Sequence, residues 1–433
     1  MPTDDRLRAA AGAKPWLRAH LAASVLLTVG LTLPTTFMEF SVVPLVLVCL
    51  VGIQHTHRGI DQIFREPAVI PALALSAWIA LGLVWSPDPA QGGEELASLR
   101  WLLAIPLLRP AVNRHRRALV LALLAGFALG HAVQVINAVA VFSKGPDWLI
   151  MGRTTTRLSG WWDPAVAGTT LTAAVGLALA GAIWGRGKDR LIGCASLLLA
   201  IAGLLATGSR GGWLATAALL TTTAVIAIAA APESWRGKLT LGAAGLAAVI
   251  AIAAVIARPV IAPRVESAAR DIRLALDDDN YQSDTGGRIL MKELALDLAA
   301  RHAITGVGTG GFGVSARELA EQRDLPERVV RVRVHDHAHD TPLHLVSTNG
   351  LIGLVLGAWL IAGITRSALA TRNDRTGFHR GFQHGPALAL LGLAFAMPFD
   401  TLYVSAHAVS LTGFLIALAQ IGLTPGAPRT DDL

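Results

Sequence analysis

Cysteine is nearly absent: the 433 residues hold two, Cys49 and Cys194, and both fall inside apolar runs. That excludes a disulfide framework or a cysteine-built zinc site and reads both thiols as packed side chains. Charge is scarce too, at 15% Asp, Glu, Lys and Arg, where a soluble domain carries about 25%. The length alone would suggest about two or three soluble domains, but so little charge argues against them. What fills the chain is one apolar run after another, most of them about 15 to 20 residues long and several shorter, the signature of helices that cross a bilayer. Hydrophobic residues make up 53% of the sequence and the mean hydropathy is +0.52.

The runs centre on residues 21–36, 40–53, 69–85, 96–108, 118–141, 165–184, 191–207, 213–230, 239–256, 351–364, 386–397 and 405–423. The expected fold is therefore an all-α polytopic membrane protein with about twelve transmembrane helices. Three parts follow: 1–256 with nine spans, a long loop at 257–349, and 350–433 with three spans and a tail. Basic residues precede the first run, but no small-x-small cleavage site is apparent, so that run reads as a retained anchor.

The net charge of +7 does not point to nucleic acid once the cations are placed. With both termini in the cytoplasm, the inner segments hold clusters such as Arg109, Arg116 and Arg117, or Arg372, Arg375 and Arg380. The short outer segments hold only Lys144, Arg153, Arg157 and Arg210, and the outer stretch "WSPDPAQGGEE" is acidic. This is the positive-inside asymmetry, with the inner cations facing anionic lipid. The long loop then lies outside the membrane. Trp85, Trp101, Trp148, Trp161, Trp162 and Trp213 fall near the outer boundary, where interfacial anchors are expected.

Four stretches break the apolar pattern. In "ATGSRGGWLA", Arg210 stands in a glycine-rich turn on the outer side. Its planar fork of donors suits phosphate oxygens; the alternative is an interfacial arginine that snorkels. In "SDTGGRILMKELALDLAARHAITGVGTGGFG", Leu290, Met291, Leu294 and Leu298 recur at helical spacing. Arg288 opens that amphipathic helix, where a cation does not serve the helix dipole. It reads as a second phosphate contact or as a solvated surface charge. "GVGTGG" matches G-x-G-x-x-G in form only, because it follows a helical pattern; it reads as a turn that folds the loop back.

The fourth stretch is "HDHAHDTPLHLVSTNG". In an extended backbone His335, His337 and His339 point to one side. Three such imidazoles suggest a metal site, yet zinc prefers ligands from separate elements or helical turns. "DTPLHL" reads as a helix start capped by Asp340 or Thr341, with Pro342 in the first turn. His339 then stands before a helix N-terminus whose dipole keeps the imidazole neutral, as a base must be, and whose free amides attract anions. A neutral base beside an anion site suggests group transfer from a phosphorylated donor. Within the spans, His131, Gln134 and Asn137 form a polar stripe that reads as cavity lining or a packing seam. Arg100 stands in the outer half of its run, positioned for the same cavity. A transporter would want ionisable residues deep in the spans, whereas the unusual charges here gather on one outer lip.

"TGSRGGWLA", "SDTGGRILMKELALDLAARHAITGVGTGGFG" and "HAHDTPLHLVSTNGLIGL" resemble, in order and spacing, three signatures of the O-antigen ligase and polymerase superfamily of bacterial inner-membrane glycosyltransferases. The resemblance covers residues 206–354; the first five spans share only their apolar character. Size and layout resemble the ligases, while O-antigen polymerases and protein O-oligosaccharyltransferases carry the same motifs. The family commonly has Asn or Ser where this chain has Asp340, which leaves the division of labour between His339 and Asp340 open.

The resemblance implies a glycosyltransferase C-like fold with a periplasmic helical cap in the inner membrane. It implies transfer of polysaccharide from an undecaprenyl-diphosphate-linked O-antigen donor to the lipid A–core acceptor. Arg210 and Arg288 match the family's essential arginines and would bind the diphosphate; His339 matches its essential histidine and would be the base. His337, Asp340, Arg264, Arg270, Arg273 and Arg100 are weaker candidates. No cofactor or metal is implied, since the donor already carries a good leaving group.

Overall fold

The computed structural model describes residues 3–53, 64, 66–143, 157–229, 231–256, 258–370 and 382–419. Lys144, Trp148, Arg153, Arg372, Arg375 and Arg380, and the end of the last expected span, lie outside the described residues. Among the described residues there is no strand, and the chain is an all-α polytopic membrane protein. Among the described residues, six helices are long and apolar enough to cross a membrane, and four shorter apolar helices accompany them.

In chain order the helices are α1 (Thr3–Gly30), α2 (Thr35–Val51), α3 (Val69–Leu81), α4 (Pro89–Ser98), α5 (Ala104–Phe142), α6 (Pro164–Trp184), α7 (Lys188–Thr207) and α8 (Arg210–Ala229). They continue with α9 (Glu233–Ile256), α10 (Arg258–Asp277), α11 (Asp284–Arg301), α12 (Phe312–Gln322), α13 (Glu327–Arg333), α14 (Thr341–Ala370), α15 (Gly385–Ala396) and α16 (Ala406–Ala419). The run at 96–108 is not one helix. Asp88 caps α4, which ends at Ser98; a 3-10 turn covers Leu99–Leu103, and α5 then continues past a break at His115.

The bundle is built around α6, buried from Ala167 to Gly181. Small residues let backbones meet there: a Cβ on Gly176 would fall 2.5 Å from the Leu388 carbonyl carbon, and one on Gly193 2.4 Å from the Ala182 nitrogen. This is how helices associate where lipid offers no hydrophobic drive. Cys49 is packed as expected, but Cys194 is exposed on α7. Trp101 and Trp162 are likewise core residues instead of interfacial anchors. The stripe of His131, Gln134 and Asn137 is buried; His131 Nδ1 pairs with Gln134 Oε1 (2.7 Å), and Gln134 Nε2 donates to Leu158 O (3.0 Å) and Gly203 O. It is a hydrogen-bonded seam.

A second core sits apart from the bundle. Leu290, Met291, Leu294 and Leu298 of α11 pack with Phe312, Ala316 and Leu319 of α12 and with Val329 and Val330 of α13. The apolar face read from the sequence thus covers protein, forming a small helical lobe over the bundle.

Gly350 (φ +67) breaks α14, leaving a short first segment ahead of the spanning part. A break exposes amides and carbonyls that a membrane protein must satisfy internally. The "GVGTGG" region does so: Val307 N donates to Ser347 O, Gly308 N to Thr348 O, and Leu351 N to Ala303 O, at 2.9, 2.9 and 2.8 Å. Gly308 has φ +97, and a Cβ on it would lie 2.6 Å from Ser86 Cα, so the turn is filled by backbone and leaves no cradle for a nucleotide.

Candidate active site

Three separated stretches converge at the ends of α8, α11 and α14, and one short segment stitches them together. That segment, 397–402, joins α15 to α16. A Cβ on Gly211, next to Arg210, would lie 2.6 Å from Phe399 Cβ, so the α8 turn packs against Phe399. Arg288 Nη1 donates to the Phe399 carbonyl (3.2 Å), and Lys292 Nζ to that of Pro398 (2.6 Å). From α14, Thr341 Oγ1 donates to Asp400 O (2.7 Å) and accepts from Leu402 N (2.9 Å).

One half of the site is cationic. Ser283 caps α11 by accepting from Gly286 N (2.9 Å), and Arg288 follows at the start of the second turn. Arg210 donates to Thr285 Oγ1 (2.7 Å) and lies in electrostatic range of Arg264 and Arg288, opposed by Asp271 and Asp284. Gly208 (φ +63) forms a floor between two more guanidiniums: a Cβ there would be 3.7 Å from Arg157 Cγ and 3.7 Å from Arg264 Nε. Burial first, and then the neighbouring Arg264, lower the Arg157 pKa below the ordinary arginine value. Four half-buried arginines therefore repel one another around a shared space, an arrangement that a multivalent anion relieves.

The other half is imidazole and carboxylate. The stretch 334–340 is bent instead of extended, and His339 adopts φ +51, yet the rings still gather. Ring centroids lie 4.3 Å apart for His337 and His339, and 5.6 Å for His335 and His339. Burial, reinforced by His337 and Arg288, pushes His339 down to about 2. Burial likewise lowers His337 to about 4. Both shifts favour the neutral ring. The helix dipole proposed from the sequence is not the leading cause; burial is.

Asp340 is the cap of α14: its Oδ1 accepts from Leu343 N (3.0 Å), and its Oδ2 pairs with Lys292 Nζ at 2.9 Å. The anion attracted by the helix N-terminus is thus Asp340 itself, and external anions are left to the arginines. One turn further, buried His344 faces Glu95 of α4 (3.5 Å) and stacks near Phe312 and Tyr403.

Of the sequence candidates, the structure brings together Arg210, Arg264, Arg288, His337, His339 and Asp340. Arg270 and Arg273 stand exposed on α10, away from the side that Arg264 presents. Arg100 donates to Ala97 O (2.6 Å) and pairs with Glu39, outside this group.

Two residues were missed. Asp400 Oδ1 lies 4.0 Å from His339 Nδ1, and burial raises its pKa above the usual carboxylate value. The only signal for it was an acid closing an apolar run in "MPFD". In the sequence Arg157 reads only as an outer cation.

Residues 195–358 match the family model described as Wzy_C, O-antigen ligase. No curated protein matches the chain. The matched region holds Arg210, Arg288 and His339, while Arg157 and Asp400 lie outside it. The family points to a glycosyltransferase-like enzyme of the O-antigen ligase or polymerase kind, with lipid-linked polysaccharide as substrate. The similarity to the O-antigen ligase family is thus carried by residues 195–358, a little over a third of the chain.

Proposed function

We propose that this protein is an O-antigen ligase of the bacterial inner membrane. It moves a polysaccharide from undecaprenyl diphosphate to the lipid A–core oligosaccharide on the periplasmic face, with both termini cytoplasmic. The observation that carries the reading is the position of Arg288, bonded to the Phe399 carbonyl and acting electrostatically on His339, on Asp400 and on Arg210. It joins the proton-accepting half of the site to the anion-binding half.

The donor diphosphate lies among Arg210, Arg288, Arg157 and Arg264. His339 accepts the proton of an acceptor hydroxyl through Nε2, while Nδ1 faces Asp400. The acceptor oxygen attacks the anomeric carbon in line, and the bond from that carbon to the phosphate oxygen breaks. Configuration is inverted, and undecaprenyl diphosphate leaves with the electron pair. Arg210 and Arg288 stabilise the charge growing on it in the transition state, while Arg157 and Arg264 hold the diphosphate in the bound state. Apo distances such as the 4.0 Å between His339 and Asp400 commonly tighten when substrate is bound. Asp340 is committed to Lys292 and to the α14 cap, so it holds His339 in place instead of taking the proton. The reaction needs no metal, because its leaving group is already activated.

Deletion of the gene, with the surface polysaccharide as readout, tests the assignment. Full-length chains left unattached to lipid A are the expected result, and wild-type protein restores attachment. Chains reduced to a single repeat would make the protein a polymerase. Normal surface decoration would remove the assignment.

A further inference from the structure

We propose that His337, His339 and Asp400 form a binding site for one divalent cation of the zinc class, and that its occupancy switches transfer off. The second half of the proposal rests on the base role given to His339; the first half does not. Each residue offers one ligand atom, and the three atoms lie within 4.8 Å of one another. His339 Nδ1 is buried and has no hydrogen-bond partner among the described residues, and the nearest carboxylate oxygen to it is Asp400 Oδ1 at 4.0 Å.

Tetrahedral zinc bonds of about 2.0–2.1 Å set neighbouring ligand atoms roughly 3.3 Å apart. Closure by up to about 1.5 Å, and by less for the His339–Asp400 pair, therefore completes the site, within the reach of side-chain rotation. Two imidazoles and a carboxylate suit zinc and its neighbours, not calcium or magnesium, which want more oxygens. The ligands come from two elements, the bent segment before α14 and the loop before α16, which three imidazoles on one extended strand would not supply. Outer partners also exist: Asp400 Oδ1 accepts from Thr401 N at 2.9 Å, and the Asp400 carbonyl accepts from Thr341. Asp340 is held away by Lys292, and His335 is exposed at the rim. Three protein ligands leave a fourth position for water. Arg288 nearby keeps the affinity moderate, which suits a reversible ligand over a permanent one.

The consequence follows from imidazole chemistry. A cation on Nδ1 confines the ring proton to Nε2, so no lone pair remains to accept one from an acceptor hydroxyl. It also takes the Asp400 carboxylate.

Full-length protein in detergent, stripped with EDTA, is titrated with Co2+ for its visible absorption and with Zn2+ by calorimetry. One cation per chain is expected. His337→Ala and Asp400→Asn should each weaken binding by at least ~10-fold, as loss of a metal partner does. His337→Cys, which restores a ligand atom, should recover most of it, and size-exclusion profiles check that each variant is folded. In wild type, Zn2+ should suppress transfer with the midpoint at which it binds, and EDTA should restore it. Absence of binding at millimolar cation, or binding that both substitutions leave intact, overturns the site. Transfer that is indifferent to bound Zn2+, or that EDTA abolishes, overturns the inhibition. A chain that binds the cation but shows no transfer under any condition would sink the ligase reading and leave the site standing.

Discussion

Lys292 of α11 and Asp340 at the head of α14 form an ion pair at 2.9 Å, with the carboxylate almost wholly buried. The pair ties the helical lobe to the helix that presents His339. Lys292 also holds the Pro398 carbonyl, next to the segment that carries Asp400. Removing Lys292 leaves the buried Asp340 carboxylate without its counter-charge, which costs more than the pair contributes, whereas Lys292 is partly exposed and tolerates loss of Asp340 better.

Asp340→Asn retains a good cap and Asp340→Ala does not, a difference of about 1 kcal/mol. If Asp340 only positions, the Asn variant should keep transfer within ~10-fold of wild type, while the Ala variant melts lower and works more slowly. Rates and melting temperatures of the two variants check this. An Asn variant as inactive as His339→Ala would make Asp340 the base.

Asp400→Asn removes the charge facing His339 Nδ1 but keeps the shape. The expected result is a fall in kcat of about 10²-fold, the lower end of what a general base contributes, with the donor KM nearly unchanged. Arg157→Ala should show the reverse split, with KM for the lipid-linked donor raised and kcat little altered, because it removes an anion contact far from the proton. Steady-state kinetics on both variants separate the two roles.

Gly308→Val places a side chain where φ is +97 and where the backbone of Ser86 stands 2.6 Å from the new Cβ. Strain and overpacking together should cost about 2–4 kcal/mol. Folded protein recovered from membranes should drop sharply, as read by fluorescence-detected size exclusion. A nucleotide-binding turn would lose a ligand and keep its fold.

The neutral histidines carry a stability signature. Burial holds His337 at about 4 and His339 at about 2, both below the ordinary value of 6.5. The unfolded chain therefore binds more protons than the folded one as pH falls through about 6.5, so stability declines with acid. Arg288 from α11 and His335 and His344 from the same stretch of chain work in the same direction. Asp400, raised by burial, opposes them. The melting temperature should thus fall between about pH 7 and pH 5, and His337→Gln with His339→Gln should flatten that slope.

Most spans were legible because an apolar run long enough for a bilayer has few other readings. The exception, 96–108, is apolar but divided among α4, a 3-10 turn and α5, and no periodicity marks such a join. Arg210, Arg288 and His339 were legible because a charged or titratable side chain amid glycines or at a helix start stands out locally. Asp400 and Arg157 were not, since each reaches the site only through tertiary packing, 61 residues beyond His339 and 53 before Arg210. The cap role of Asp340 was among the options, but its pairing with Lys292 needed the lobe to fold over the bundle.

The most direct measurement is polysaccharide transfer in proteoliposomes supplied with undecaprenyl-diphosphate-linked donor and lipid A–core on the outer face, with EDTA present. Wild type should form product at full rate, and His339→Ala and Arg288→Ala should each lose about 10²–10⁴-fold while remaining folded. Wild-type product levels from both variants would contradict the account.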